Sequence, residues 1–82
     1  MHHIALLYDT DELGQRIRAL RREKGLRQDE LADRIGVTRM TISRLERGEA
    51  VSVDTALRVL SECGYAIGVA PKFTRLAVLD GA

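Results

Sequence analysis

Six side chains between positions 38 and 44 have types and spacing that suit them to chemistry: Thr38, Arg39, Met40, Thr41, Ser43 and Arg44. Two are planar guanidinium forks, three are hydroxyls, and one is a soft apolar thioether. A guanidinium can donate two parallel N–H bonds to O6 and N7 of a guanine, and a thioether can rest on a thymine methyl. The set therefore has the composition of a surface that reads base edges in double-stranded DNA.

Such a surface needs a rigid helix, and the flanking residues provide one. Leu31, Ala32 and Ile35 mark a short helix over about 28–35, and Gly36 ends it. Thr38 is a good N-cap for a following helix over about 38–46, whose inward residues are Ile42 and Leu45. Ala32 is small where two helices would cross, and Gly36 permits a positive φ at the turn between them. With Leu31, Ile35, Val37, Ile42 and Leu45 turned inward, the chemistry-bearing residues are left outward.

Two more helices frame this pair. Asp9 is an N-cap with Glu12 three residues on, the spacing of a capping box, and Leu13, Ile17 and Leu20 make one apolar face. Basic residues and Gly25 close that helix, so it is expected over about 10–24. Ser52 caps a further helix whose stripe is read as Val53, Ala56, Leu57 and Leu60, ending at Gly64.

Charge is distributed unevenly. The net charge of +1 conceals a segment, residues 16–47, with ten basic and five acidic side chains, a net +5 against −4 elsewhere. A basic middle between acidic ends suits a polyanionic partner. Enzyme readings lack parts. His2 and His3 are the only histidines and no serine has a histidine nearby in sequence. No glycine-rich loop follows a strand, and the single cysteine, Cys63, permits neither an internal disulfide nor a thiolate metal cluster. No catalytic residue, metal site or cofactor is expected. Ile4–Tyr8 is the longest apolar run considered, too short to cross a membrane, and a cytoplasmic location is expected.

After Gly64 the period changes from helical to alternating. Tyr65, Ile67 and Val69 alternate with Ala66, Gly68 and Ala70, a strand with one bulky and one small face, closed by Pro71. A strand needs a hydrogen-bonding partner. The Ile4–Tyr8 run is one candidate, and the same strand of a second copy across a two-fold axis is the favoured one. The expected organisation is an N-terminal arm (1–9), a helix-turn-helix domain (10–64), a dimerisation strand (65–71) and a C-terminal tail (72–82). The expected fold class is all-α with a small β element: four helices, possibly five, and one C-terminal strand paired across a homodimer. An 82-residue chain with few aromatics has a modest core, which favours oligomerisation.

The stretch QDELADRIGVTRMTISRLER, Gln28 to Arg47, with RREKGLRQ before it and SRLERGE across its end, resembles the lambda-repressor-like, or Xre-type, helix-turn-helix family. The resemblance covers residues 10–63. Arg27 departs from the Thr or Ser often found there as an N-cap, and places a cation beside the expected phosphate path. LYDTDEL ahead of the first helix and CGYAIGVAPK after the fourth further resemble the HipB-type antitoxins. Those are dimers that repress their own operon and bind a kinase-like HipA-type toxin.

The resemblance implies roles residue by residue. Thr38, Arg39, Met40, Ser43 and Arg44 match positions facing base edges. Gln28 matches a phosphate contact at a helix N-terminus, through backbone N–H and side chain. Arg22, Arg27 and Arg47 are candidate phosphate clamps. Arg21 matches an arginine that pairs with the acid matching Glu46, a structural tie. The implied function is sequence-specific repression of a palindromic operator by an autoregulating antitoxin. A stand-alone or phage-type repressor, and a protein-interaction module that binds no DNA, are the alternatives.

Overall fold

A computed structural model of the chain describes residues 4–72. It contains four helices: α1 (Thr10–Glu23), α2 (Gln28–Ile35), α3 (Arg39–Glu46) and α4 (Val53–Glu62). Each begins where a side chain or a carboxylate satisfies free backbone N–H groups. Asp9 accepts from the Glu12 N–H at 2.8 Å, Thr38 from the Thr41 N–H at 3.2 Å, and Ser52 from the Thr55 N–H at 3.1 Å. Glu12 does not close the expected capping box. Its carboxylate accepts from the Tyr8 N–H, one residue before the cap, at 2.8 Å.

The core is aliphatic. Ile17 of α1, Leu31 of α2, Ile42 of α3 and Val59 of α4 are fully buried, one from each helix. Burying a side chain of this size contributes about 1.5–3 kcal/mol. Leu20, Leu26, Ala32, Ile35, Leu45, Ala56, Leu60 and Cys63 complete the cluster, with Leu13, Val37, Val51 and Tyr65 half-buried against it. The stripe of α4 differs from the sequence reading. Its buried residues are Ala56, Val59, Leu60 and Cys63, whereas Val53 and Leu57 are exposed. Both sets have helical spacing, so periodicity alone does not choose between them; packing against α2 does.

One close approach and one left-handed turn set how the helices meet. A Cβ added to Gly14 of α1 would lie 2.5 Å from the Leu45 carbonyl oxygen and 2.6 Å from that of Glu46. Only glycine lets α1 sit this near the end of α3. Gly36 takes φ 74° and ψ 35°, the left-handed conformation that closes α2, and the Val37 N–H then bonds the Ala32 carbonyl at 3.0 Å. Arg58 of α4 donates to the Ile35 carbonyl and so holds the same end of α2 from the other side.

The strand expected over residues 65–70 is not formed in the single chain, and no strand occurs among the described residues. Ile4–Tyr8 is likewise irregular, so it does not supply the ladder partner considered for the segment. The segment packs only through the half-buried Tyr65; Ile67 is exposed and Val69 is almost fully so. Without a partner for its backbone donors and acceptors, alternation does not make a strand. The expectations for residues 1–3 and 73–82, including His2, His3 and most of the tail, lie outside the described residues.

Candidate nucleic-acid interface

The outer face of α3 is built by its own cap and by the turn before it. The Thr38 side chain starts the helix, and its hydroxyl also shares a hydrogen bond with that of Thr41 at 3.1 Å. Thr38 is therefore exposed but partly committed to the fold. Arg39, Met40 and Arg44 project outward, and Met40 keeps 53% of its surface exposed although it is apolar. Among the described residues Arg39 and Arg44 enter no ion pair and no side-chain hydrogen bond. Ser43 is half-buried and accepts a hydrogen bond from Arg47.

The candidate phosphate residues are placed differently from one another. Arg22 is exposed in the last turn of α1. Arg27 is exposed, and its Nε donates to Asp29 at 3.1 Å with Glu30 also within 3.8 Å. The hydrogen bond that Arg27 donates to Asp29 raises the Arg27 pKa above its ordinary value, and the same bond lowers the Asp29 carboxyl below the usual carboxylate range. At the start of α2 the cap comes from the third residue of the helix rather than from the Arg27 side chain. The Glu30 carboxylate accepts the Arg27 N–H at 2.8 Å, which satisfies one free donor of that helix end. Arg47, just past the end of α3, pairs with Glu49 at 2.7 Å and donates back to Ser43 of that helix. Arg27 and Arg47 thus carry local counter-ions, whereas Arg39 and Arg44 do not.

Beneath this face lies a buried polar knot. Arg21 and Glu46, both under a tenth exposed, form a bidentate pair: Arg21 Nε donates to Glu46 Oε2 at 2.6 Å and Nη2 to Oε1 at 2.9 Å. The remaining Arg21 nitrogen, Nη1, donates to the Leu26 carbonyl at 2.8 Å. The hydrogen bonds to Glu46 are the main reason the Arg21 pKa is raised. Glu46 Oε1 also accepts from Gln28 Nε2 at 3.1 Å, so the knot joins α1, the start of α2 and the end of α3. Neither the Gln28 link nor the Arg58 brace is foreseen by motif matching. A polar residue at a helix start reads as solvent-facing, and only the fold brings positions 28 and 46 together. Cys63 is buried, which pushes its thiol pKa up and keeps it out of the nucleophilic thiolate form.

The helix-turn-helix family profile matches residues 17–69, nearly two thirds of the chain. This chain belongs to the helix-turn-helix family. Over 47 residues it is 45% identical to an HTH-type transcriptional regulatory protein of Pyrococcus furiosus, and over 32 residues 62% identical to an HTH-type transcriptional regulator of Methanothermobacter thermautotrophicus. The matches span 56% and 39% of this chain but only 15% and 46% of those proteins. These relatives are regulators, a class without catalytic function. Among solved structures, a HipB–O4 20mer complex and a HipA–HipB–O2–O3 complex each contain a similar chain, with TM-score 0.77 and 23% identity over 84% of this chain and 99% of that one. The four-helix fold is therefore that of HipB. Among the described residues no helix is long and apolar enough to cross a membrane.

Proposed function

We propose that the chain is a sequence-specific DNA-binding repressor whose α3 enters the major groove. The observation that carries this reading is the outer face of α3: Arg39 and Arg44 stand without counter-ions beside an exposed Met40 on a helix locked from behind by Ile42, Leu45 and Glu46. A cation that has no protein partner keeps its full charge and hydrogen bonds for a base edge. Thr38 and Ser43 flank the readers, and Gln28, Arg22, Arg27 and Arg47 line the phosphate path.

The repressor acts as a homodimer on a palindromic operator. One recognition helix reads too few base pairs, and two related by a two-fold axis reach successive major grooves about 34 Å apart. The bulky face of the 65–71 segment, Tyr65, Ile67 and Val69, supplies the pairing strand. The exposure of Ile67 and Val69 in the single chain supports this assignment. Likeness to HipB chains supports the finer reading, an autoregulating antitoxin with a kinase-like HipA-type toxin as its partner. A stand-alone repressor is the second reading, favoured by the curated relatives, which are named as regulators.

A gel shift on the chain's own upstream region, titrated with salt, tests the proposal. If about six phosphates are neutralised, log K falls against log salt with a slope of about −5. Salt-independent affinity sinks the reading. A neighbouring kinase-like gene whose product co-purifies with the chain decides for the antitoxin. Sedimentation of Ile67→Pro tests the dimer, because proline removes a ladder donor. The variant should become monomeric and lose tight operator binding, and one that stays dimeric defeats the strand assignment.

A further inference from the structure

We propose that Glu46 is a positioning residue for DNA binding: it fixes the Gln28 carboxamide at the start of α2, so that this side chain meets its ligand already oriented. The inference rests on the reading of Gln28 as a contact to the DNA backbone and goes beyond it by assigning a task to the buried ion pair.

The chemistry of the donor set settles the amide's direction. A carboxylate only accepts, so the nitrogen of Gln28, and not its oxygen, faces Glu46. The tether uses one of the two N–H groups on that nitrogen. The other N–H is left as a donor on a side chain whose direction is fixed, and a donor suits a phosphate oxygen. Gln28 is half-buried, so its stem is also confined.

Glu46 can hold this position because it is itself held. Arg21 binds both its oxygens, at 2.6 and 2.9 Å, from a buried site on α1. The charge that orients Gln28 is thus neutralised locally and does not repel a phosphate at close range. A glutamine free to rotate loses rotamer entropy when it binds, and one already tethered loses less.

A coupling experiment tests the assignment. Replacing both ion-pair partners with apolar residues, Arg21→Met with Glu46→Leu, removes the tether while avoiding an unpaired buried charge. Operator affinity is measured for the wild-type chain, Gln28→Ala, the Met/Leu double variant and the combined triple variant. Gln28→Ala and the double variant should each weaken binding roughly fivefold, and the triple variant no further than either. Penalties that multiply in the triple variant mean that the ion pair acts only on the scaffold, and overturn the proposal. Operator binding that survives Gln28→Ala unchanged overturns it too, while leaving the repressor reading intact. A wild-type chain that binds no DNA removes that reading and this one with it. A DNA-free readout guards against a double variant that does not fold. In the wild-type chain one Gln28 side-chain proton should exchange more slowly than those of the exposed Gln15. Equal exchange at the two glutamines also overturns the assignment.

Discussion

The two faces of α3 obey opposite rules although they alternate along eight residues. On the inner face every polar group is matched. Glu46 accepts from Arg21 and Gln28, and its backbone carbonyl lies so near Gly14 that no side chain fits between. On the outer face Arg39 and Arg44 are matched by nothing among the described residues, and Met40 is left in water. The two arginines make no side-chain contact of this kind within the described fold, and Met40 keeps 53% of its surface exposed. On the proposed function the difference separates a scaffold, whose interactions are internally complete, from a reader, whose interactions await a partner. Arg27 and Arg47 lie between the two: exposed, but already holding Asp29 and Glu49.

The contrast breaks most sharply at Glu46. Glu46→Ala strands Arg21 in the interior, and loss of one partner of a buried pair costs about 3–5 kcal/mol. For a domain this small that is a large part of its stability, so thermal unfolding by circular dichroism should show a melting point lower by well over 10 °C, or no cooperative transition. A melting point within a few degrees of wild type contradicts the inner-face account.

Gly14→Ala comes next. The added methyl meets two carbonyl oxygens of rigid backbone, so α1 must shift, at a cost of about 1–3 kcal/mol in spite of alanine's better helix propensity. Chemical denaturation should show a lower midpoint at unchanged slope. A variant as stable as wild type means the helices are not in this register.

The outer face should respond in the other assay only. Arg39→Ala or Arg44→Ala should leave the melting point within about 2 °C while costing about 1–3 kcal/mol on the cognate operator, with random DNA affected less. Equal losses on cognate and random DNA reassign these residues to the backbone.

The intermediate class gives the smallest effects. Arg27→Ala should weaken cognate and random DNA alike and by less, because the wild-type side chain must first leave Asp29. The same pair makes a pH prediction. A carboxyl with a lowered folded-state pKa contributes stability that is present above its unfolded value and is lost as pH falls through the folded one. The Asp29 carboxyl should therefore titrate below the usual carboxylate range by NMR, and return towards it in Arg27→Ala. An Asp29 titration indifferent to residue 27 removes the pairing.

Much of the scaffold is legible in the sequence, because its signals are local. Asp9, Thr38 and Ser52 mark helix starts, glycines mark the ends, and Leu31, Ala32 and Ile35 repeat with the helical period, so all four helices stand within a residue or two of their expected places. What is not legible depends on contact across the fold. Gly14 reads as a tolerated glycine inside a helix, with no hint that α3 presses on it. Val53 and Leu57 have the same spacing as Val59 and Cys63, and only tertiary packing decides which set is buried. The alternating 65–70 segment has the pattern of a strand but not the neighbour a strand needs. The outward direction of Arg39, Met40 and Arg44 follows from the inward direction of Ile42 and Leu45, but the tether between Gln28 and Glu46 needs three helices in place.

Because the side chains of Arg39, Met40 and Arg44 spend no hydrogen bond on the described residues, they form, on the proposed function, an exchangeable cassette. Their replacement as a group should redirect the domain to a new target with little loss of foldedness, which makes the chain a ready host for grafted specificities. Thr38 and Ser43 do not share that freedom. One is the peg that starts the helix and the other is an anchor for Arg47, so diversification by drift or by design should concentrate on the three and leave those two in place.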